Sequence, residues 1–291
     1  KSWETAGDVL ERLAAAGLDR NGAVLALGGG VVGDLAGFCA ATYMRGVPFV
    51  QTPTTLLAQV DSSVGGKTGV DLHAGKNLVG AFIQPALVVA DTGALVSLPE
   101  AEWRSGLAEV VKSALLDGEG LLEWMEDNSL RLAERERDAV AFAVHACVAF
   151  KGRIVAADER ELGQRAWLNY GHTLGHAIEK VAGYGTFSHG VAVAEGMRFA
   201  GQLAIRAVGA QAEFVRRQDR LLDAFGLPAL SGTFDADAIR SALASDKKSR
   251  DGAPRFVLVV RPGEAVVTEI EEEILAEELS RWVEVKKGVE R

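Results

Sequence analysis

Cysteine is scarce in this chain. Only Cys39 and Cys147 occur in 291 residues, both in apolar stretches and neither with a CxxC partner. They read as two buried, reduced thiols, which suits a reducing cytoplasm. A basic excess is lacking too: 31 basic residues face 40 acidic ones, a net charge of −9. That argues against a nucleic-acid binder, while leaving room for a local basic pocket around an anionic substrate. Long hydrophobic runs are absent. The longest, Ala139 to Phe150, is interrupted by His145 and is too short to span a bilayer. It reads as a buried helix, and no membrane association is expected. The opening residues KSWETAGD carry no apolar signal region. There is no low-complexity segment and no fixed-period repeat.

Glycine, in contrast, is abundant, with 33 residues, which predicts tight turns and close backbone approaches. Apolar residues make up 48% and charged residues 24%, as in an ordinary soluble enzyme, and the length suffices for two modest domains or one large one.

Residues 6–17 repeat apolar side chains at helical spacing. Ala23–Leu27 is a short apolar run that ends in three glycines and predicts a buried parallel strand. A helix is expected over 31–43, and further strands at Pro48–Thr52 and Ala86–Ala90. Strand, helix and strand in alternation imply a parallel sheet with helices packed on it. After Asp91 the texture changes. Segments 100–116, 119–151, 172–183, 190–208 and 210–225 all look helical, and only Arg255–Val260 and Ala265–Thr268 look like strand. The expected fold is therefore an α/β nucleotide-binding domain, Rossmann-like, over 1–92, followed by a mostly α-helical domain over 93–291. The glycine turn comes only 28 residues into the chain. A doubly wound domain has more than one strand–helix unit before that point, so the chain is expected to begin inside the domain, leaving an unpaired sheet edge.

Four groups of residues carry chemistry. Gly28, Gly30 and Gly33 satisfy G-x-G-x-x-G between a strand and a helix, where a pyrophosphate can meet the backbone and the helix N-terminus. The plain alternative is a glycine turn without a ligand. Second, Thr52-Pro53-Thr54-Thr55 precedes Asp61-Ser62-Ser63-Val64-Gly65-Gly66-Lys67-Thr68. The ending resembles a P-loop, but the first glycine of that motif would fall at Asp61, so it is not one. Lys67 and Lys76-Asn77 lie in glycine-rich surroundings, either as a solvated loop or as a phosphate or carboxylate site.

Third, Gly171-His172-Thr173-Leu174-Gly175-His176 places two imidazoles at i and i+4, and His189 follows. Upstream, Glu109 and Lys112 share a helix face. A carboxylate with two or three imidazoles suits a catalytic zinc with an open position. A lone histidine is usually a hydrogen-bonded core residue, which is the reading for His73 and His145. Three of five histidines within 18 residues point instead to a metal. Fourth, Lys151, Arg165 beside Asn169, and Asp246-Lys247-Lys248 scatter cations among helices. Most such charges are solvated, but Lys151 ends an apolar run and can turn inward.

Together these residues resemble a known family. GGGVVGDLAGFCAATYMRGVPFVQTPTTLLAQVDSSVGGKTGVDLHAGKNLVGAF, SGLAEVVK, RAWLNYGHTLGHAIE, SHGVAVAEGM and DKK follow one another as in the 3-dehydroquinate synthase family of sugar-phosphate cyclases, over about residues 1 to 270. The resemblance implies a cytoplasmic homodimer that uses NAD and zinc or cobalt. It implies conversion of 3-deoxy-arabino-heptulosonate 7-phosphate, a phosphorylated sugar acid, into 3-dehydroquinate and phosphate. The steps would be transient oxidation by NAD, phosphate elimination, re-reduction and intramolecular aldol closure, within the shikimate pathway to aromatic amino acids.

By the same resemblance, Gly29, Gly30, Asp34, Thr54, Thr55, Lys76 and Thr92 would contact NAD. Glu109, His172 and His189 would hold the metal. Lys67, Asn77, Asn169, His176 and one lysine of Lys247-Lys248 would hold the substrate phosphate, with Arg45 reaching it from a partner subunit. Lys151 and Arg165 would take the carboxylate, and Asp61 and Lys112 the ring hydroxyls. Lys67, Lys112, His176 and Asp61 are thus the expected catalytic set. The family starts with further strands and an acidic segment for the adenosine end of NAD, and Lys1-Ser2 resembles the tail of that segment. Two rivals share much of this pattern. Sister cyclases act on substrates without a carboxylate, which Lys151 and Arg165 disfavour. A polyol dehydrogenase of the glycerol dehydrogenase type would leave Lys67, Lys76-Asn77 and Lys247-Lys248 without a purpose.

Overall fold

The computed structural model describes residues 1–244 and 254–288. The chain divides into two compact units. One comprises Lys1–Gly106 and Val140–Arg160, the other Leu107–Ala139 and Glu161–Arg291. The expected boundary at residue 92 is thereby corrected to Gly106/Leu107, and Val140–Arg160 returns to the first unit. The change of texture at 92 marks the end of the last strand, which is a local property. The division follows which stretches of the backbone lie close together.

In the first unit, α1 (Trp3–Ala15) is capped by Ser2, whose hydroxyl accepts from the Thr5 amide at 3.2 Å. Its Ala6, Val9, Leu10 and Leu13 pack against Phe38, Cys39 and Val70. A parallel sheet follows, ordered β1 (Val24–Gly28), β2 (Phe49–Pro53) and β5 (Leu87–Val88). Val24 pairs with Phe49 and Gly28 with Pro53. β1 forms an edge, and its Leu25 and Leu27 are exposed. Helix α2 (Gly30–Thr42) lies close on the strands because it has glycines at the contact. A Cβ on Gly33 would come 2.5 Å from Gln51 Oε1, and one on Gly37 would come 2.4 Å from Thr68 Cγ2. Only hydrogen fits there.

The stretch from Lys67 to Asn77, expected as a possible solvated loop, is instead part of an antiparallel hairpin. β3 (Lys67–Leu72) pairs with β4 (Gly75–Phe82), with Val70 wholly buried beneath it. The many glycines hid the alternation that marks a strand. Before the hairpin, Ala58–Ser62 form a π-helical turn with Gln59 and Val60 buried.

Two helices carry the chain from one unit to the other: α3 (Glu100–Asp117) and α6 (Arg137–Ala157). Residues 119–151 are not one helix. α4 (Glu119–Asp127) ends at Asn128, whose side chain donates to the Trp124 carbonyl at 2.8 Å. α5 (Ser129–Ala133) ends before Arg135, which has a φ of 59°. α6 is the one helix among the described residues with the length and apolarity to cross a membrane. Half of that stretch is buried inside the protein, as a core helix would be.

The second unit is mostly helical. It holds α7 (His172–Ala182), α8 (His189–Ala207), α9 (Ala212–Ala224), α10 (Ala236–Ala244) and α11 (Glu272–Gly288), and α8 packs on a hairpin of β6 (Arg255–Arg261) and β7 (Glu264–Glu269). α10 and α11 were not read from the sequence. Met197, Phe199, Leu203, Leu258 and Trp282 fill the core. Buried Glu195 accepts from Trp282 Nε1 at 2.5 Å and from the Leu230 amide at 2.8 Å, and pairs with Lys286 at 2.6 Å. That network ties α11 to α8.

Candidate active site

The site in the second unit depends on how closely α7 and α8 approach. A Cβ on Gly196 would lie 1.8 Å from the Gly171 carbonyl oxygen, and one on Gly175 would lie 3.0 Å from that of Ala192. Gly171 itself has a φ of 79°, which favours glycine. Backbone therefore meets backbone. The contact brings together the first residues of the two helices, His172 and His189, whose ring centroids are 5.2 Å apart.

Glu109 on α3 completes the group. Its Oε1 lies 3.6 Å from His172 Nε2 and 3.6 Å from His189 Nε2. The carboxylate is 1% exposed and Oε1 accepts no hydrogen bond, while Oε2 pairs with buried Lys112 one turn later. A buried carboxylate oxygen without a donor, facing two imidazole nitrogens, is what a cation would satisfy. Burial opposes the charge on Glu109, but the Lys112 ammonium and His189 outweigh it and hold the pKa at about 2. Burial likewise opposes a charged His189, yet the Glu109 and Glu179 carboxylates on either side of the ring raise its pKa to about 9. With two carboxylates beside it, His189 holds a proton that a metal would displace.

The remaining ring nitrogens are also occupied. His172 Nδ1 lies 3.1 Å from the Tyr170 carbonyl, and His189 Nδ1 lies 3.5 Å from Glu179 Oε2. His176 is exposed, with its ring centroid 5.4 Å from that of His172 and 6.2 Å from that of His189. Arg165 is buried on the 3-10 turn Gln164–Asn169. Asn169 donates to Glu161 and, at 3.1 Å, to the Ala166 carbonyl. Glu161 and Glu179 were missed in the sequence. Glu179 sits seven residues after His172, on the same helix face, so helical spacing could have found it. Lys247 and Lys248 lie outside the described residues.

In the first unit the glycine turn leads from β1 into the N-terminus of α2, with Gly29 as the residue before the helix. The Thr54 amide donates to the Gly28 carbonyl at 2.9 Å, and Thr55 Oγ1 accepts from the Ala58 amide at 3.2 Å. A Cβ on Gly30 would meet Ser62 Oγ at 2.8 Å. Asp34 pairs with Lys1. Burial raises the Asp34 pKa despite that partner.

Lys1 also donates to Asn77 Oδ1. Lys151 does turn inward: its ammonium donates to Asp61 Oδ1 at 2.8 Å and to the Asp61 carbonyl at 2.5 Å. Lys67 and Lys76 project from the hairpin as exposed residues, Thr92 opens the turn after β5, and Arg45 is exposed with a φ of 66°. His73 and His145 are exposed, not in the core as expected, so they need no buried partner.

The family model described as 3-dehydroquinate synthase N-terminal matches residues 1–105, and that described as 3-dehydroquinate synthase C-terminal matches residues 106–249. Their junction falls one residue before the Gly106/Leu107 division, although Val140–Arg160, within the second model, belongs to the first unit. The chain is 51% identical to a 3-dehydroquinate synthase of Halorhodospira halophila, over 92% of this chain and 76% of the relative. It is 50% identical to one of Pelobacter propionicus, over 94% and 77%.

Among solved structures, a 2-deoxy-scyllo-inosose synthase complexed with carbaglucose-6-phosphate, NAD+ and Co2+ superposes with a TM-score of 0.88. It is 30% identical, with 97% of this chain and 80% of that one covered. A 2-epi-5-epi-valiolone synthase from Streptomyces hygroscopicus with NAD+ and Zn2+ bound gives the same TM-score at 29% identity, over 97% and 79%. A probable glycerol dehydrogenase from Sinorhizobium meliloti shares the fold, with a TM-score of 0.62 at 15% identity over 98% and 82%.

Proposed function

The chain belongs to the 3-dehydroquinate synthase family, and we propose that it converts 3-deoxy-arabino-heptulosonate 7-phosphate to 3-dehydroquinate and phosphate, using NAD and a divalent metal. The observation that carries this reading is the Glu109–His172–His189 cluster, with an undonated Glu109 oxygen facing both imidazoles. Those three residues would hold the metal, zinc or cobalt. Bound NAD supplies reversible hydride acceptance and the cation supplies Lewis acidity.

The rest falls to this chain's own residues. Lys112 neutralises one Glu109 oxygen and leaves the other to its ligand role. The Gly29–Gly30 turn brings backbone amides at the N-terminus of α2 to the NAD pyrophosphate. Asp34, Thr54, Thr55, Lys76 and Thr92 are assigned to the same cofactor. Lys67, Asn77, Asn169 and His176 take the substrate phosphate. Arg165 and Lys151 take its carboxylate, and Asp61 positions the Lys151 ammonium while meeting a ring hydroxyl. Arg45, exposed on its turn, suits a contact across a homodimer, and a cytoplasmic location fits the two buried thiols.

The test is an assay of the chain with the heptulosonate phosphate, zinc and less NAD than protein. Phosphate and dehydroquinate should both exceed the NAD supplied, because the cofactor is regenerated. Release of reduced cofactor in equal measure to product would point to a dehydrogenase instead. The sister-cyclase reading is met by a substrate lacking the carboxylate, which should turn over poorly where Arg165 is intact.

A further inference from the structure

We propose that Glu179 is a positioning residue that orients His189 for the metal and sets its tautomer. This rests on the reading of Glu109, His172 and His189 as the metal ligands. Glu179 lies on α7, two turns after His172, with its side chain 8% exposed. A buried carboxylate is expensive without a partner, so its placement against one ring nitrogen of His189 is a built feature.

The His189 ring is held from both sides. Nε2 lies 3.6 Å from Glu109 Oε1, and Nδ1 lies 3.5 Å from Glu179 Oε2. With the proton on Nδ1, directed at Glu179, the Nε2 lone pair points at the metal position. The opposite tautomer would aim a lone pair at a carboxylate and a proton at the cation. His172 is arranged alike, with the Tyr170 carbonyl at 3.1 Å from Nδ1. The two ligands differ in the acceptor behind them: a neutral carbonyl for His172, a carboxylate for His189. A carboxylate makes the imidazole the stronger donor to a metal.

Glu179 also falls in a second group that could hold a cation, with His176 and His189. The His189 nitrogen nearest that group's Glu179 is Nδ1, at 3.5 Å, on the ring whose Nε2 serves the first group. His176 is the exposed member. One ring serves both groups only by losing both its protons, so the positioning role is the one the geometry favours.

The test uses the full chain, stripped of metal and titrated with zinc against a chromophoric chelator. Cobalt absorption serves as a second readout of ligand geometry. The parent should bind one equivalent. Glu179→Ala should retain that equivalent with affinity weakened about 10- to 100-fold, and Glu179→Gln should weaken it less, since the amide oxygen still accepts from Nδ1. The cobalt band should shift in Glu179→Ala. Thermal midpoints of the metal-free parent and Glu179→Gln should agree, which separates positioning from general stability.

Should Glu179→Ala not fold, the near-isosteric Glu179→Gln decides alone. Affinity within twofold of the parent in every variant that folds overturns the proposal. So does a parent that binds two equivalents with one lost in Glu179→Ala, because Glu179 is then a ligand. His172→Ala run alongside separates the two readings. Full metal content in it sinks the ligand assignment itself, whereas loss in His172→Ala with unchanged Glu179 variants sinks only the positioning role.

Discussion

The two units present their functional groups in opposite ways. In the second, Glu109, His172 and His189 have side chains 1%, 12% and 29% exposed, and each stands at a place the backbone holds firmly. Two are the first residues of helices that touch through glycine. In the first unit, Lys67, Lys76, Asn77 and Arg45 stand exposed, while the Lys151–Asp61 and Lys1–Asp34 pairs are drawn inward. The contrast suits the roles proposed for each group. Metal ligands need fixed geometry, because affinity falls when donors drift by fractions of an ångström. A cation proposed to meet a phosphate can stand at the surface, where a long flexible lysine serves it well.

The sharpest way to break this comparison is His172→Ala. It should abolish stoichiometric zinc, seen by metal analysis, and cut turnover by more than the ~100-fold expected of an outer-sphere change. A variant with full zinc content would remove the distinction between the units. Next comes Gly196→Ala, which puts a methyl group into the α7–α8 contact. It should destabilise the protein by about 3 kcal/mol and lower metal affinity with it, checked by thermal melting and zinc titration. Its counterpart in the first unit, Gly37→Ala, meets a side-chain methyl of Thr68 rather than backbone. It should cost about 1 kcal/mol and leave zinc binding unchanged.

Arg165→Ala removes a buried cation assigned to the substrate carboxylate. Substrate binding should weaken by roughly 1.5–3 kcal/mol, the usual loss for a hydrogen bond to a charged group, while NAD affinity measured by titration holds. The smallest effect is expected at Arg261, whose pairing with Glu264 is solvent-exposed. Arg261→Ala should change stability by no more than about 0.5 kcal/mol in a denaturant melt.

Several of these features could be read from the sequence for clear reasons. β1 and α2 show themselves through a short apolar run, a glycine turn and helical spacing, all local signals. The proposed ligands His172 and His189 show themselves through residue type, since with His176 they make three histidines close in sequence with glycines beside them. The β3–β4 hairpin was hidden because glycine carries no side chain with which to display the two-residue period. The breaks at Asn128 and Arg135 were hidden because both residues are tolerated within a helix, and only their own backbone angles and bonds end it. Glu179 was missed: its seven-residue spacing from His172 places it on the same helix face, but spacing alone does not tell a buried glutamate from a solvated one.

By itself the sequence determined that an α/β part precedes a mostly helical part and which family the motifs spell, and it supplied the residues proposed to meet a cation and an anionic sugar. Those are matters of residue type and spacing, which the chain carries along its length. The tertiary structure alone decided that Glu109 faces both imidazoles, that Lys112 pairs with its other oxygen, and that Glu179 stands behind His189. It also decided that the units divide at Gly106 and share helices α3 and α6. The approach of Glu109 to the two imidazoles joins residues tens of positions apart, and that cluster exists only after helices have packed at a distance that Gly171, Gly175 and Gly196 permit.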